Sequence, residues 1–246
     1  MPDALRVEHL GASGLRVRWP DGATLCFDPP EPVLDALVLT WSEQERTAGV
    51  RGGAAGDVAA HPDLLRWLRR DGTGLGSGEG TGDAIFGAFR LRAMPYTPIP
   101  WATPIEALRK TLSGLHSPRL AARRLKYTLR RPSDPPLIVE VEHAGIRVAH
   151  MGQAIHRFQR ELPALQAHFQ GADLVLAGAD FDDEAAVGAG LAGFRGRTNV
   201  IVDTVGAIRR TLGLPTRSLR VSLATAPPGT RLLEIGEGVD IPVTPR

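Results

Sequence analysis

Residues Asp35 to Arg46, Asp-Ala-Leu-Val-Leu-Thr-Trp-Ser-Glu-Gln-Glu-Arg, carry an apolar run from Ala36 to Thr40 straight into a polar turn. A short apolar run bounded in this way reads as a buried strand. The turn that follows holds one bulky apolar side chain, Trp41, two carboxylates, Glu43 and Glu45, and the guanidinium of Arg46.

Working outward, Leu15, Val17 and Trp19 alternate with Arg16 and Arg18, the period of a half-buried strand, and Asp21-Gly22 turns the chain into Ala23 to Phe27 as a hairpin. Pro62 suits the first turn of a helix over Asp63 to Arg70, with Leu64, Leu65, Trp67 and Leu68 as its apolar stripe and Gly72 as its end. Ala84 to Met94 is strand-like and leads into a proline-rich turn at Pro95, Pro98 and Pro100. An insertion from Thr103 to Pro132 carries two helical patterns. Strands are expected at Leu137 to Val141, Ile146 to His150, Ala172 to Ala177 and Val200 to Asp203, a helix at Val205 to Leu212, and a closing hairpin over Arg231 to Val243 with Gly236 and Gly238 in its turn. Strands and helices alternate in both halves, which is an α/β pattern.

The chain has 246 residues, 43% of them hydrophobic and 23% charged, enough to build a substantial core in a soluble protein, and one domain over residues 1–246 is expected. The 28 glycines and 20 prolines favour short elements and tight turns over a helical bundle. Met-Pro-Asp-Ala-Leu-Arg at the start does not read as a signal peptide, and no stretch approaches the roughly 18 apolar residues of a membrane helix. Cys26 is the only cysteine, so a disulfide within the chain and a cysteine-rich zinc site are both excluded. A cytoplasmic location is expected.

The order of these pieces resembles the metallo-β-lactamase superfamily, in particular its branch of β-lactamase-like zinc hydrolases. His9-Leu10-Gly11-Ala12-Ser13-Gly14 is similar to the opening strand and glycine turn, and Leu25-Cys26-Phe27-Asp28-Pro29 to the Ile-Asp-Pro strand end. His150-Met151-Gly152-Gln153-Ala154-Ile155-His156 is similar to His-Leu-Gly-Asp-Leu-Gly-His, Ala172 to Leu176 to the following strand, and Pro228 to Leu232 to the last hairpin. The resemblance spans nearly the whole chain. It implies a four-layer αββα sandwich with the site at one edge between two sheets, and here a basic helical insertion at residues 103–132.

The same resemblance implies a metal site that this chain does not furnish. The family's Thr-His-x-His-x-Asp-His falls on the Thr40 junction, which places Trp41, Glu43, Glu45 and Arg46 at the ligand positions. Its next histidine falls where Tyr96 or Thr97 stands, its bridging aspartate on Gln153, and its last histidine near Asp203 or Thr204. Zinc needs nitrogen or oxygen lone pairs at about 2 Å and an open position for water. Arginine offers five donors and no lone pair, and Trp41 has the bulk to fill vacated volume. No metal cofactor is therefore expected. The alternative is a divalent metal held by carboxylates among Glu43, Glu45, Asp180, Asp182, Asp183 and Asp203. Against it, Asp180 to Glu184 stands just before Ala185-Ala186, where acids cap a helix, and Glu43 and Glu45 are expected to pair with Arg46 or another arginine at the rim. His150 and His156 flank Gly152 and could both line the pocket, although His150 among apolar neighbours reads as a structural, hydrogen-bonded histidine. His9, His61, His116, His143 and His168 show no ligand spacing and read as surface or packing residues.

Other chemistry falls away quickly. Glycines at 72, 74, 76, 78, 80 and 82 recur at every second position, but no Lys-Ser/Thr follows them and the spacing is not that of a phosphate loop, so they read as a flexible loop. Ser13 lacks a nucleophile elbow and Cys26 faces the core.

Charge is the remaining signal. Arg109, Lys110, Arg119, Arg123, Arg124, Lys126, Arg130 and Arg131 lie within 23 residues without one acid, leaving 21 of the 29 basic residues to face 27 acids elsewhere. Ala121, Leu125 and Leu129 give that segment one packing stripe. It reads as a solvated helix on the sandwich edge or as a lid that binds an anionic ligand or an acidic protein partner. Tyr127 is its only aromatic residue, so stacking on single-stranded nucleic acid and sequence-specific readout are not expected. Two functions follow: a non-catalytic binding or scaffolding subunit, or a hydrolase with a site rebuilt from carboxylates and His150 or His156, acting on an anionic substrate. Either leaves room for an oligomer.

Overall fold

The computed structural model describes residues 4–11, 13–40, 47–51, 57–70, 78–79, 84–95, 136–152, 162–178, 184–203 and 226–243. In chain order the strands are β1 (Ala4–Gly11), β2 (Gly14–Arg18), β3 (Thr24–Phe27), β4 (Ala36–Val38), β5 (Val58–Ala59), β6 (Gly78–Glu79), β7 (Ala84–Phe86), β8 (Phe89–Pro95), β9 (Leu137–His143), β10 (Ile146–His150), β11 (Leu174–Gly178), β12 (Thr198–Val202), β13 (Arg231–Leu233) and β14 (Gly238–Pro242). The described helices are α1 (Ala48–Arg51), α2 (Pro62–Arg70), α3 (Leu162–His168) and α4 (Glu184–Phe194).

Two sheets of seven strands result, ordered β14-β1-β2-β3-β4-β5-β6 and β13-β12-β11-β10-β9-β8-β7. Each has one antiparallel part and one parallel part: β3 to β6 run parallel in the first sheet and β10 to β13 in the second. Alternation along the strands sends one set of side chains between the sheets. Leu5, Val7, Leu15, Val17, Leu25 and Phe27 meet Val139, Val141, Val148, Leu174, Leu176 and Val200 in a shared core.

The opposite faces are covered by helices, which makes four layers. α2 begins at Pro62, where a missing N–H costs nothing, and buries Leu64, Leu65 and Leu68 against Cys26, Leu37, Leu39 and Val58. On the other sheet, Leu165 of α3 and Val187, Leu191 and Phe194 of α4 pack on Ile138, Ala149, Val175 and Ile201. The strands β4, β5, β11 and, from Val200 on, β12 are thus covered on both faces, which is why they read as continuous apolar runs.

Three local expectations are corrected. Ala84 to Met94 is a hairpin, because Gly87 takes a φ of 58° at the first position of a two-residue loop and Phe86 then pairs with Phe89. Arg231 to Val243 is not a hairpin: β13 pairs with β12 in one sheet and β14 with β1 in the other, so residues 234–237 carry the chain between sheets. Within the glycine repeat, Gly78 and Glu79 form an edge strand parallel to β5. The hairpin at Asp21-Gly22 is as expected, with Gly22 at a φ of 92° and the Trp19 amide donating to the Ala23 carbonyl at 2.8 Å. The helix expected at 205–212 and the insertion at 103–132 lie outside the described residues. No described helix is long and apolar enough to cross a membrane.

Candidate functional site

The parallel strands of both sheets end at one rim of the sandwich, the position where open α/β sheets place their ligands. The end of β3 and the end of β10 meet directly there: the rings of Phe27 and His150 stack with centroids 4.6 Å apart and planes 4° from parallel. The Leu137 amide at the start of β9 donates to the Thr40 carbonyl at 2.8 Å, a hydrogen bond from one sheet to the other at the same rim.

Asp28 is the organising residue of the first sheet's end. It is fully buried and held in the left-handed region at a φ of 42°, a conformation that Asp tolerates better than most residues. Its carboxylate accepts from the Thr40 amide at 2.7 Å and from the Thr40 hydroxyl, while its own amide donates to Val38 at 3.0 Å. The β1–β2 turn closes on this corner. A Cβ at Gly14 would stand 2.5 Å from the Pro30 ring and 3.1 Å from the Asp28 carbonyl, so only glycine lets the turn pack there.

On the second sheet, Gly152 takes a φ of 63° and accepts from the Gly178 amide at 3.2 Å, turning the chain immediately after β10. Its own N–H donates to His150 Nδ1 at 3.2 Å. That nitrogen therefore carries a lone pair and the ring proton sits on Nε2. His150 is 3% exposed and Asp203, just past β12, is 4% exposed with its amide 3.5 Å from the Leu233 carbonyl.

Of the residues singled out from sequence, His150 and Asp203 are therefore at strand ends of the second sheet. Trp41, Glu43, Glu45, Arg46, Tyr96, Gln153, His156 and Asp180 lie outside the described residues, as do Arg119, Arg123, Arg124, Lys126, Arg130 and Arg131. The chain leaves and re-enters the described region at Thr40 and Thr47, both buried. Among the described residues no group of three or more His, Cys, Asp or Glu side chains stands together as metal ligands.

His9, read from the sequence as a surface or packing residue, is a packing residue. His9 shares the inward face of β1 with Leu5 and Val7, is 1% exposed, and lies opposite Leu15, which in turn lies opposite Phe27. That places His9 and His150 on the same rim, with Leu15 and Phe27 between them in register. The alternation Leu5, Val7, His9 was the available signal, since a third inward residue at period two is buried whatever its polarity. Ser13, also buried, follows in the same turn. Cys26 faces the helical layer as expected, and burial first, then Asp35 nearby, pushes its thiol up to about 11, so it is no nucleophile at neutral pH.

This architecture matches metallo-β-lactamase fold proteins of known structure. The metallo-beta-lactamase fold protein YhfI from Bacillus subtilis superposes over 97% of this chain and 99% of its own, with a TM-score of 0.59 at 12% identity. The isothiocyanate hydrolase from Delia radicum gut bacteria matches over 95% of this chain and 98% of its own, with a TM-score of 0.58 at 12% identity. CmlA, a diiron beta-hydroxylase from Streptomyces venezuelae, covers 98% of this chain at a TM-score of 0.58 and 11% identity, and this chain spans 54% of its length. No family model and no curated protein matches. The chain has the metallo-β-lactamase fold, and hydrolases are among the proteins that share it.

Proposed function

We propose that this protein is a non-catalytic metallo-β-lactamase-fold protein, cytoplasmic, acting as a binding or scaffolding subunit without the family's metal site. The observation that carries the reading is the donor set at Trp41, Glu43, Glu45, Arg46 and Gln153, where the fold's zinc hydrolases have imidazoles and aspartates. That set does not fit zinc: an indole and a guanidinium supply no lone pair, and Arg46 brings a permanent positive charge to a position that the resemblance assigns to a metal ligand. The geometry of His150 supports the same reading, because its Nδ1 lone pair is engaged by the Gly152 amide and its other nitrogen bears the proton. The second reading is a hydrolase with a site rebuilt from carboxylates and His150 or His156, acting on an anionic substrate.

The purified protein is accordingly expected to contain well under one zinc, iron or manganese atom per chain by elemental analysis. Added zinc should leave its melting temperature unchanged, since a ligand that does not bind the native state cannot stabilise it. One or two metal atoms per chain that survive dialysis against a mild chelator would overturn the proposal in favour of the hydrolase.

The binding surface in this proposal is the basic segment from Arg109 to Arg131. Eight positive charges without an acid attract an acidic protein surface or an anionic ligand, and such attraction is screened over roughly 8–10 Å at physiological salt. Reversing Arg123, Arg124 and Arg130 to glutamate should cut binding to a polyanion such as heparin at least tenfold while leaving thermal unfolding within a few degrees of wild type, because solvated charges contribute little to stability. If the triple variant unfolds, the arginines are structural ion-pair partners and the segment is not the interaction surface.

A further inference from the structure

At the rim opposite the candidate site, His143 stands at the end of β9 on the inward face it shares with Leu137, Val139 and Val141. Both of its ring nitrogens meet oxygens that only accept. Nδ1 is 2.8 Å from the Ala88 carbonyl in the β7–β8 turn, and Nε2 is 2.6 Å from the Asp21 carboxylate in the β2–β3 turn of the other sheet. A neutral imidazole carries one N–H, so one of these short contacts would set lone pair against lone pair, whereas an imidazolium donates to both. Asp21 is itself anchored, since its second oxygen accepts from the Ala23 amide at 3.0 Å. The ring is enclosed by Trp19, edge-on at 5.8 Å, and by Phe89, tilted at 5.1 Å.

We propose that His143 is a proton-operated latch: as the imidazolium it ties the β2–β3 turn of one sheet to the β7–β8 turn of the other, and loss of its proton releases one of the two ties. Asp21 is the charged group that acts on the ring among the described residues. The β7–β8 side offers the Ala88 carbonyl and the Phe89 ring. Arg90 and Glu142 stand opposite each other across β8 and β9, one position along from the inward face, and so lie on the outer side.

The direction of titration agrees with the geometry. Burial opposes the charged ring, but the Ala88 carbonyl and the Asp21 carboxylate outweigh it and raise the His143 pKa. Asp21 is correspondingly lowered, first by the hydrogen bond from His143 and then by the Ala23 amide. A raised folded-state pKa means that the latch contributes its full stability below the free-histidine value of about 6.5 and loses it as pH rises through the folded value. The Asp21 half is present above about pH 4 and is lost only in stronger acid.

Two measurements test this. In an NMR titration of the folded protein, the His143 ring resonance, identified as the one that moves most in Asp21→Asn, should titrate above about 6.5 and fall toward or below that value in the variant. Thermal unfolding of wild type should lose roughly 3–5 °C between pH 6 and pH 9 for each unit by which the folded pKa exceeds the free one, a component that His143→Gln lacks. A His143 resonance titrating at or below about 6.5, or equal pH dependence in wild type and His143→Gln, overturns the latch. Should His143→Gln fail to fold, the wild-type titration and Asp21→Asn decide the matter.

Discussion

Replacing Asp28 with alanine is expected to cost about 3–5 kcal/mol of folding stability, read as a lowered urea midpoint with an unchanged slope. The carboxylate is fully buried and accepts two hydrogen bonds from Thr40, and Thr40 is buried as well, so water does not replace the lost acceptor. Hydrogen bonds to charged groups are worth about 1.5–3 kcal/mol each, and an orphaned buried donor adds its own desolvation cost. The φ of 42° adds to this, because alanine resists the left-handed region by about 1 kcal/mol where aspartate tolerates it. Asp28→Gly separates the two causes: it relieves the backbone cost and leaves the orphaned donors, so it should sit about 1 kcal/mol above the alanine variant. Asp28→Asn keeps one acceptor oxygen for the Thr40 amide and should fall between wild type and glycine. A loss under about 1 kcal/mol for Asp28→Ala would show that Thr40 finds other partners and that this corner does not organise the rim.

The architecture was legible in the sequence because its strands carry two distinct patterns. Ala36 to Leu39 and Leu174 to Ala177 are apolar throughout because sheet and helix cover both faces, whereas Leu15 to Trp19 alternates because its outer side chains, Arg16 among them, reach Glu8 and Asp35. Asp21-Gly22 was read correctly as a hairpin because a turn of that kind is a local event. Arg231 to Val243 was misread for the converse reason. Two short strands around Gly236 look like a hairpin to any local rule, and only the pairing of β14 with β1, far away in sequence, sends them to different sheets. The hairpin at Gly87 was hidden because Phe86 and Phe89 continue the apolar texture across the turn.

The expectation for the site came from substitution at expected ligand positions more than from pattern. The residues Trp41, Glu43, Glu45 and Arg46 lie outside the described residues, so their chemistry is read from the sequence alone, while His150, read as a hydrogen-bonded histidine, accepts from the Gly152 amide and stacks on Phe27. For His9 the sequence left surface and packing roles open, because its place beside the rim follows from cross-strand register with Leu15 and Phe27 and not from local spacing. The His143–Asp21 contact spans 122 residues and joins the turns of two sheets, so no local reading could have found it.

Arg147→Ala should cost about 3 kcal/mol, near the lower end of what breaking a buried ion pair costs. Glu140 is 1% exposed on the outer face of the second sheet, and Arg147 Nη2 donates to it at 2.6 Å. Arg92 stands 3.5 Å from its other oxygen, close enough for attraction but too far and too poorly aimed for a good hydrogen bond, so it softens the loss without replacing it. Both arginines also reach over the end of α3: Arg92 donates to the His168 carbonyl at 2.7 Å, and Arg147 lies 3.5 Å from the Gln170 carbonyl. Cations there satisfy the orphaned carbonyls of a helix C-terminus and favour its negative end. The network thus pins α3, the first described element after residues 153–161, which carry Gln153 and His156, onto the sheet whose rim holds His150. The paired replacement Glu140→Leu with Arg147→Met removes the charge together with its partner and should cost less than Arg147→Ala alone, since an apolar pair leaves no buried ion uncompensated. Urea unfolding of the three variants checks the order. If Arg147→Ala loses less than about 1 kcal/mol, water or Arg92 suffices for Glu140, and α3 is held without Arg147 by the apolar contacts of Leu162 and Leu165 and by Arg92 at its end.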